Sequence, residues 1–594
     1  MKHTLGISLG YNASACIMDE NQNVVYSASE ERFINVKNCK EFPLTSIRNG
    51  IDYLAIDPQD IVACNYSHYQ EPDLYDLYRH TYNINKKIPA RRTNLTSEEM
   101  TFQEEMFIRQ QLLLLGISPE KVTRINHHLA HAACAYNLSP FHDKDDDAEN
   151  LYVVMDGFGD GDSISVWTER ETIGKIVLDK IYSEPMCKSI ALVYQFVTGA
   201  LGYKEHQHEG KITGLAAFGD PGTHFGDFKK LYNEFENIPH DESVVSPIID
   251  FDIFTEMKKR TYALVNSWID GMTKEEQFEK SKDIAASVQY FAENETFEYI
   301  TKVIDEFGFK KVNLHLSGGL FANVKINQML HEKIREVQNV FVAPPMGDEG
   351  TCIGAACGED MLDRVGNKMT NMTMRMGTSH HAESFGDGFD DVIKTFKEHD
   401  VKSYTLVTSL DLVTKMIAED LSENKIVCVF DGRMEFGPRA LIGRSIMYNC
   451  RDKGANDWLN HQLGRTEYMP FAPFCKEEHV KTLFEKVEGK EQALKNMTIT
   501  VKGTEEFIEN YPAACHVDNT ARPQVISKDE NKFAWMILDA FESITGDKAL
   551  INTSFNLHNY PIIESTKVAV ESWLTSNTHS LYIGGDNKWI KLSR

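Results

Sequence analysis

Short apolar runs that end in glycine or proline beside small residues recur along the first part of the chain. They span residues 5–10, 151–157, 314–319 and 340–344. Each pattern predicts a buried strand, and a Gly-rich turn at a strand end presents backbone N–H groups that can hold phosphate oxygens. One such turn is weak evidence, because any α/β protein has several. Four segments, with a carboxylate within or shortly after two of them, favour a two-lobed nucleotide site.

The second part of the chain changes character after about residue 376. Its features are a strand at 425–430 that leads into an arginine-bearing loop, a Pro-rich turn at 469–473 and a segment that ends at 552–556. We therefore expect two domains, 1–376 and 377–594. A length of 594 residues agrees with more than one hydrophobic core.

An alanine-rich segment at 127–136 predicts a helix that carries two histidines on one face. His127 and His131 are four residues apart, so their imidazoles lie about one turn from each other and suit a single metal ion. With 21 histidines in the chain, chance alone gives about 0.7 such spacings. A pair of structural histidines is therefore the alternative interpretation.

Two carboxylates complete a candidate metal site. Asp156 ends an apolar, strand-like run, and Asp348 lies in the loop 345–350. Two imidazoles with two carboxylates suit iron(II), manganese or zinc, and spacing does not choose among them. A zinc protease is not expected, because His128 occupies the glutamate position of the H-E-x-x-H motif.

Composition and charge are those of a globular protein that repels polyanions. Hydrophobic residues make up 42% of the chain and charged residues 25%, and the net charge is −26 at pH 7. Such a field disfavours broad binding of nucleic acid or anionic membranes but leaves room for a local basic pocket. No run of 18 apolar residues and no secretory signal is visible, and the 11 cysteines form no C-x-x-C pair. We therefore expect a cytoplasmic protein without a membrane span.

Ordered motifs extend over nearly the whole chain. In the first part they are residues 9–15, 30–33 with Lys37, 127–136, 156–157, 209–216, 317–319 with Asn323, and 347–350. In the second part they are residues 436–441, 444–446, 470–473, 516–518 with Arg522, and 552–556. In the content and order of these motifs the chain resembles the NodU/CmcH family of O-carbamoyltransferases.

The resemblance implies an α/β fold with two domains. The first would be an actin-like, sugar-kinase-like (ASKHA) domain with a metal and nucleotide site, and the second a YrdC-like domain. Family members use carbamoyl phosphate, together with ATP and Mg, to form carbamoyl-adenylate in the YrdC-like domain. At the metal site a substrate hydroxyl then takes the carbamoyl group and AMP leaves. The chain is therefore expected to be an ATP-dependent O-carbamoyltransferase.

The resemblance also carries over individual residues in four groups. The metal, with iron(II) favoured over manganese and zinc, would be held by His127, His131, Asp156 and Asp348. ATP or the adenylate would be bound by Ser317, Gly318, Gly319, Asn323 and Lys211. The acceptor would contact Tyr11, Asn12 and Lys37. Catalysis would depend on the four metal ligands and on Arg522.

Arginine chemistry supports the same function. Carbamoyl phosphate is a small, doubly charged anion, and a planar guanidinium can grip two of its oxygens at once. An acidic protein that binds it needs arginines concentrated in one pocket, and the candidates are Arg439, Arg444, Arg465 and Arg522. His516 and Asn552 are further candidates for the carbamoyl or phosphate oxygens. Taken singly, each arginine fits an isolated surface residue equally well.

The chain departs from many relatives at several positions. Tyr11 and Asn12 stand where many relatives have His-Asp, Leu463 and Met469 replace Lys and Arg, and Ile442 and Asn519 replace glycines. We expect these changes to alter acceptor and anion contacts rather than the class of reaction.

Two other functions compete with carbamoyl transfer. A metabolite kinase or ATPase would use the actin-like fold alone and make ADP, whereas the transferase makes AMP and pyrophosphate. An inactive binding protein would not need ordered histidines, carboxylates and arginines. The expected acceptor is a hydroxyl of a small molecule, sugar or nucleoside, and the alternative is a hydroxymethylated pyrimidine of phage nucleic acid. Other nucleic-acid partners and membranes are not expected, and a homodimer is a candidate assembly.

Overall fold

The computed structural model describes residues 1–68, 97–141, 147–172, 175–238, 251–358, 362–363, 374–379, 388–399, 401, 403–464, 468–585 and 588–594. These residues fold as two compact units. The first unit comprises Met1–Val25, Asn38–Arg48 and Ile56–Met369, and the second comprises Tyr26–Lys37, Asn49–Ala55 and Thr370–Arg594. The second unit thus takes two short segments from the N-terminal part of the sequence, and the domain division at residue 376 stays a prediction.

The first sheet contains five strands. They are β1 (His3–Ser8), β2 (Ser14–Met18), β3 (Val24–Ser29), β4 (Ile61–Ser67) and β5 (Lys121–Ile125). Their order is β3-β2-β1-β4-β5. β1 is antiparallel to β2, with Ser8 opposite Ser14, and parallel to β4, which is itself parallel to β5. β1 and β2 are buried along almost their whole length, as expected of strands covered on both faces.

The second sheet repeats this arrangement. Its strands are β6 (Glu149–Gly159), β7 (Asp162–Thr172), β8 (Lys175–Pro185), β9 (Val312–Ser317), β10 (Val337–Val342) and β11 (Leu362–Asp363), in the order β10-β9-β6-β7-β8-β11. β6, β7 and β8 are successive antiparallel strands, whereas β6, β9 and β10 are parallel. Each sheet thus begins with three consecutive strands, β1–β3 or β6–β8. Two further strands, β4 and β5 or β9 and β10, then add to the sheet in parallel on the other side of the first strand. This duplication is the actin-like architecture that the sequence predicts, and the predicted α/β class is confirmed.

Helices fill the connections between the strands. Those described with four or more residues are α1 (Glu30–Ile34), α2 (Leu44–Leu54), α3 (Ser97–Leu113), α4 (His127–Leu138), α5 (Ile190–Ala200), α6 (Glu209–Leu215), α7 (Phe225–Glu234), α8 (Phe251–Ile269), α9 (Lys274–Phe307), α10 (Val324–Lys333), α11 (Thr351–Cys357), α12 (Gly388–Glu398), α13 (Leu410–Ser422), α14 (Ala455–Gln462), α15 (Val480–Leu483), α16 (Glu491–Lys495), α17 (Glu505–Asn510), α18 (Lys532–Thr545) and α19 (Thr566–Thr575). Among these, none combines the length and apolar character that a bilayer crossing requires.

Small residues let α4 pass through the interior of the first unit. Nearly every residue of α4 is buried. At its contact with α11, a Cβ on Gly354 would lie 1.7 Å from the main-chain oxygen of Ala130. The backbones of the two helices therefore approach closely, and side-chain bulk is excluded where they meet. This packing accounts for the alanine-rich composition of the segment.

The second unit is built on a mixed sheet. Its strands are β12 (Thr405–Val407), β13 (Val427–Asp431), β14 (Arg444–Asn449), β15 (Ala472–Lys476), β16 (Val501–Lys502), β17 (Thr520–Ala521), β18 (Gln524–Ile526), β19 (Ala549–Ser554), β20 (Ser580–Gly585) and β21 (Lys588–Ser593). Eight of them follow the order β12-β21-β20-β13-β14-β19-β15-β18, and β16 pairs with β17. Helices α13 and α18 contribute Ile417, Leu421, Ile537 and Phe541 to its buried core. This α/β architecture accords with the predicted YrdC-like domain.

Two departures from the family pattern occupy left-handed turns. Ile442 has φ 80° and Asn519 has φ 63°. Asparagine tolerates this conformation, whereas a β-branched side chain there is strained by about 1–2 kcal/mol. The left-handed backbone at both positions explains why many relatives have glycine there. Ile442 is fully buried in the core, and that burial offsets the strain.

Candidate metal centre and anion-binding residues

Three elements of the first unit carry the four predicted metal ligands. Helix α4 begins directly after β5, and the Asn126 side chain caps it by accepting a main-chain N–H at 2.9 Å. This helix confirms the predicted one and places His127 and His131 on one face, with ring centroids 4.8 Å apart. Asp156 lies in β6, and Asp348 begins a short 3-10 turn.

The four side chains converge on one point. One ligand atom from each of His127, His131, Asp156 and Asp348 lies within 4.8 Å of the other three. His127 Nε2 is 3.4 Å from Asp156 Oδ2 and 3.5 Å from Asp348 Oδ1. His131 Nε2 is also 3.5 Å from Asp348 Oδ1. Ligands at about 2.0–2.2 Å from one ion lie roughly 4 Å apart at most, so a small inward adjustment gives a single metal site.

Contacts behind the imidazoles fix their orientation. His127 Nδ1 lies 3.4 Å from Ser67 Oγ, and His131 Nδ1 lies 3.2 Å from Ser317 Oγ. Both rings therefore present Nε2 to the centre, in the way that hydrogen-bonded metal ligands are usually held.

The polar atoms of the centre suit a divalent cation. His131 Nε2 is buried and makes no hydrogen bond to any residue in the described ranges. Burial lowers the pKa of His127, but hydrogen bonds to Asp156 and Asp348 outweigh burial and raise that pKa to about 10. Burial opposes ionisation of Asp348, yet its close contacts with the two imidazoles hold its pKa far below the ordinary range. An open imidazole nitrogen beside two carboxylates is a donor set for iron(II), manganese or zinc.

The glycine-rich loop after β9 contacts the same centre. Ser317 bonds to His131, as described above, and the main-chain N–H of Gly319 donates to Asp156 Oδ1 at 2.9 Å. Gly318 has φ 101°, and a Cβ there would lie 2.3 Å from a main-chain oxygen of β6, so only glycine fits. The loop predicted to bind the adenylate is thus bonded to two of the predicted metal ligands.

Asn323 and Lys211, also predicted to bind the nucleotide, lie on buried helical segments. Asn323 caps α10, and its Nδ2 donates to Gln289 Oε1 at 2.8 Å. The same Gln289 oxygen accepts the hydroxyl of Tyr194 at 2.9 Å, so the Asn323 amide belongs to a buried polar network. Lys211 is buried on α6. A direct nucleotide contact of either side chain stays a prediction.

Tyr11, predicted to contact the acceptor, belongs to an aromatic stack. Its ring lies on that of His206, with centroids 4.3 Å apart and planes inclined by 21°. Lys40 Nζ is 3.7 Å from the Tyr11 centroid. Sequence reasoning missed His206 and Lys40, because only the folded chain brings them to Tyr11. Nearness to the motif 209–216 is the one signal that could have drawn attention to His206.

The remaining predicted acceptor residues have different environments. Asn12 has φ 56° and donates through Nδ2 to Glu349 Oε2 at 3.3 Å, next to the ligand Asp348. Lys37 is exposed and belongs to the second unit. Asn12 therefore contacts Glu349, the residue next to the predicted metal ligand Asp348.

Arg444, predicted to bind an anion, donates hydrogen bonds to main-chain oxygens of the neighbouring loop. It is fully buried, with its guanidinium 3.6 Å from the ring centroid of Phe430. Nη1 donates to the main-chain oxygens of Asp431 and Gly443, both at 2.9 Å, and Nη2 donates to that of Gly432 at 3.1 Å. Burial lowers the pKa of Arg444 to about 10. Both terminal nitrogens thus hold the backbone that precedes β14.

Asn552 joins the segments that carry two other predicted arginines. Its Nδ2 donates to the main-chain oxygen of Ala440 at 3.0 Å and to Gln524 Oε1 at 2.7 Å. Arg439 precedes Ala440 directly, and Arg522 is two residues before Gln524. Both arginines are half-buried. The structure thus brings these two segments to the same point of β19.

The last two anion-binding candidates differ in what the structure describes. His516 is buried, with Nδ1 3.5 Å from Asp518 Oδ1. Arg465 lies outside the described residues. A cavity of about 250 Å³ opens where β19 ends, and Phe555 and Leu463 are among the residues that line it.

Comparison with known proteins identifies the chain. The family model of the carbamoyltransferase N-terminus matches residues 3–357, and that of the carbamoyltransferase C-terminus matches residues 418–588. An uncharacterized protein of Methanocaldococcus jannaschii is 30% identical over 80% of this chain and 74% of its own length. The nodulation protein NolNO of Sinorhizobium fredii is 26% identical over 96% of this chain and 78% of its own length.

Among solved structures, full-length HypF in its phosphate- and nucleotide-bound form overlaps 60% of this chain and 54% of its own, with a TM-score of 0.27 and 14% identity. The two family models, which together span most of the sequence, define an enzyme that transfers carbamoyl groups. The chain belongs to the carbamoyltransferase family. The resemblance and the enzyme class predicted from the sequence are thereby confirmed.

Proposed function

We propose that the chain is an ATP-dependent O-carbamoyltransferase that makes carbamoyl-adenylate from carbamoyl phosphate and ATP and transfers the carbamoyl group to a hydroxyl. The observation that carries the proposal is the bonding of the glycine-rich loop to the metal ligands. Ser317 Oγ lies 3.2 Å from His131 Nδ1, and Gly319 donates to Asp156. This contact supports a site in which a nucleotide leaves beside a metal.

In the first unit, the chain's own residues would hold and orient the reactants. His127, His131, Asp156 and Asp348 would hold a divalent metal, with iron(II) favoured over manganese and zinc, that supplies Lewis-acid polarisation of carbamoyl or phosphoryl oxygens. Backbone N–H groups of the loop 317–319, with Asn323 and Lys211, would bind the adenylate phosphate and nucleoside. The acceptor oxygen would attack the carbamoyl carbon, the bond from that carbon to the AMP oxygen would break, and the hydroxyl proton would pass to solvent.

In the second unit, the arginine-bearing segments would prepare the adenylate. Carbamoyl phosphate and water would give carbamate and phosphate, and the carbamate oxygen would then attack the α-phosphorus of Mg-ATP and displace pyrophosphate. Arg439 and Arg522 would bind the phosphate oxygens, together with Arg465, His516 and Asn552. Arg444 would fix the conformation of the loop whose main-chain oxygens accept its hydrogen bonds. Keeping the mixed anhydride enclosed would protect it from water.

The acceptor would be a small molecule, sugar or nucleoside hydroxyl that contacts Tyr11, Asn12 and Lys37. The stack of Tyr11 on His206 supports a ring-shaped acceptor, because an aromatic face packs well against a sugar or base. A hydroxymethylated pyrimidine of phage nucleic acid is the second candidate. The reaction would take place in the cytoplasm, where carbamoyl phosphate and ATP are available.

One incubation tests the proposal. The protein is supplied with carbamoyl phosphate, Mg-ATP, iron(II) and a panel of sugars, nucleosides and hydroxymethylated pyrimidines. We expect AMP, pyrophosphate and an acceptor that gains about 43 Da by mass spectrometry, the mass of one carbamoyl group less one hydrogen. Formation of ADP and a phosphorylated acceptor would instead assign the chain to the metabolite kinases.

A further inference from the structure

Arg375 and Glu435 are brought side by side in the second unit by main-chain pairing. The N–H of Phe436 donates to the Met374 oxygen at 2.8 Å, and the N–H of Gly377 donates to the Met434 oxygen at 2.9 Å. Arg375 and Glu435 therefore lie between paired residues on adjacent backbones. No family motif singled out either residue in the sequence.

The Arg375 guanidinium has one occupied side and one open side. Nη1 donates to Asp431 Oδ2 at 2.6 Å. Nε and Nη2 are buried and have no hydrogen-bond partner in the described part of the chain. Nε–H and Nη2–H point from the same edge of a guanidinium, and that edge grips two oxygens of a phosphate or carboxylate at once. Leaving both donors open in the interior is unfavourable unless a ligand satisfies them.

Further arginines make the neighbourhood positive. Arg444 is fully buried, and its Nε has no partner among the residues described. The positive charges of Arg375 and Arg32 add to the effect of burial in lowering the pKa of Arg444. Arg32 donates to the main-chain oxygen of Gly437 at 2.7 Å. Asp431 contacts Arg375 directly, and the charges of Asp431 and Glu435 partly offset the positive charge around Arg444.

Glu435 supplies an open acceptor in the same place. Its Oε1 accepts the N–H groups of Leu441 and Arg444, both at 2.9 Å. Its Oε2 is buried and accepts no hydrogen bond from the described residues. A purely anionic ligand would leave this oxygen unsatisfied. A ligand that carries both oxyanion oxygens and an N–H₂ group would satisfy the arginine edge and the carboxylate together.

We propose that the Nε–Nη2 edge of Arg375 binds two phosphate oxygens of carbamoyl phosphate and that Glu435 Oε2 accepts a hydrogen bond from its amide nitrogen. The assignment rests on the proposed function and adds to it a site that contacts both the phosphate and the amide group of carbamoyl phosphate. Phosphate oxygens also occur in ATP and in inorganic phosphate, so the test includes both. Glu435 is the residue that favours the carbamoyl compound over them.

Binding to the full-length protein tests the assignment by titration calorimetry. The probe is phosphonoacetamide, in which a stable CH₂ replaces the bridging oxygen of carbamoyl phosphate, and its partner is acetonylphosphonate, which has CH₃ in place of NH₂. ATP and inorganic phosphate are titrated alongside. We expect the wild type to prefer phosphonoacetamide to acetonylphosphonate. Arg375→Lys should weaken both about tenfold, because lysine keeps the charge but lacks the two-donor edge.

Two further variants complete the experiment. Glu435→Gln can keep both main-chain contacts through Oε1 while replacing Oε2 with a donor, and it should abolish the preference for phosphonoacetamide. Arg451→Lys is the matched control, since Nε and Nη2 of Arg451 are already engaged by Asp547. It should bind phosphonoacetamide as the wild type does. Thermal unfolding midpoints establish that the variants are folded, and Glu435→Gln provides the test if Arg375→Lys is not.

The outcomes separate this site from the function on which it rests. Unchanged phosphonoacetamide binding in folded Arg375→Lys, with wild-type carbamoyl transfer intact, overturns the site and leaves the function standing. Weakened binding of ATP alone in that variant assigns the edge to the nucleotide and also overturns the proposal. A wild type that neither binds phosphonoacetamide nor consumes carbamoyl phosphate overturns both.

Discussion

Asp160 Oδ2 accepts the main-chain N–H of His127 at 2.6 Å. The bond joins the loop after β6 to the first residue of α4, and a side-chain ion pair between Asp160 and Arg124 anchors the carboxylate. Glu104 lies 3.7 Å from Arg124 and extends the buried charge network. The position of the His127 imidazole therefore depends on a carboxylate that does not face the metal.

Asp160→Ala is expected to weaken metal binding about 10–100-fold, because the ligand-bearing helix loses its fixed start. Asp160→Asn, which keeps an acceptor oxygen, should recover part of the affinity. A competition titration against a chelator measures both. Asp162→Asn is the control, since Asp162 contacts Lys180 at 2.6 Å on the surface side. Equal losses in the Asp160 and Asp162 variants would contradict a positioning role.

His131→Ala should remove bound metal and abolish carbamoyl transfer, while pyrophosphate release in the second unit persists. The reason is that His131 Nε2 contributes only to the centre in the first unit. Elemental analysis and a pyrophosphate assay give the two readouts. His128→Gln, whose parent side chain bonds to Ser165 at 2.8 Å, should retain the metal. Full metal content in His131→Ala would show that the ligand assignment is wrong.

Arg522→Ala is expected to abolish the use of carbamoyl phosphate while leaving the chain folded. The half-buried guanidinium lies in a segment tied to Asn552 through Gln524, so the backbone keeps its support after truncation. Loss of activity with an unchanged circular dichroism spectrum is the predicted result. Arg522→Lys should retain part of the activity, because the positive charge remains but the bidentate contact does not. Normal turnover by Arg522→Ala would reject the anion-binding role.

At position 442 the glycine variant should be more stable than the alanine variant, which reverses the usual order of stability. Both substitutions remove the buried side chain, at a cost of about 2–5 kcal/mol. Glycine alone relieves the φ of 80°, so Ile442→Gly should be more stable than Ile442→Ala by about 1 kcal/mol. Urea unfolding midpoints measure the difference. At Ile417 on helix α13, alanine should be more stable than glycine by about 1 kcal/mol. If the alanine variant is the more stable one at both positions, residue 442 is not strained.

Sequence reasoning could select the predicted metal ligands for local reasons. The spacing of His127 and His131 fixes a shared helix face, and Asp156 lies at the end of a recognisable strand. Their convergence with Asp348 depends on the placement of β6 and β10 in one sheet, which residue spacing alone does not give.

Other parts of the site depend on contacts between distant segments and could not be read from spacing. Asp160 reaches His127 across 33 residues, and Arg375 meets Asp431 across 56. Arg444 looks like any anion-binding arginine in the sequence, yet its terminal nitrogens hold main-chain oxygens. Tertiary packing decides which way such a side chain turns.

The bonds from Ser317 to His131 and from Gly319 to Asp156 join the predicted nucleotide-binding loop directly to two predicted metal ligands. Nucleotide binding at the loop is therefore expected to alter the metal affinity of the four predicted ligands, and by reciprocity the metal is expected to alter the affinity for AMP by the same factor. Chelator-treated and iron-loaded protein should consequently differ in their dissociation constants for AMP. Identical dissociation constants would mean that these two hydrogen bonds do not couple metal binding to AMP binding.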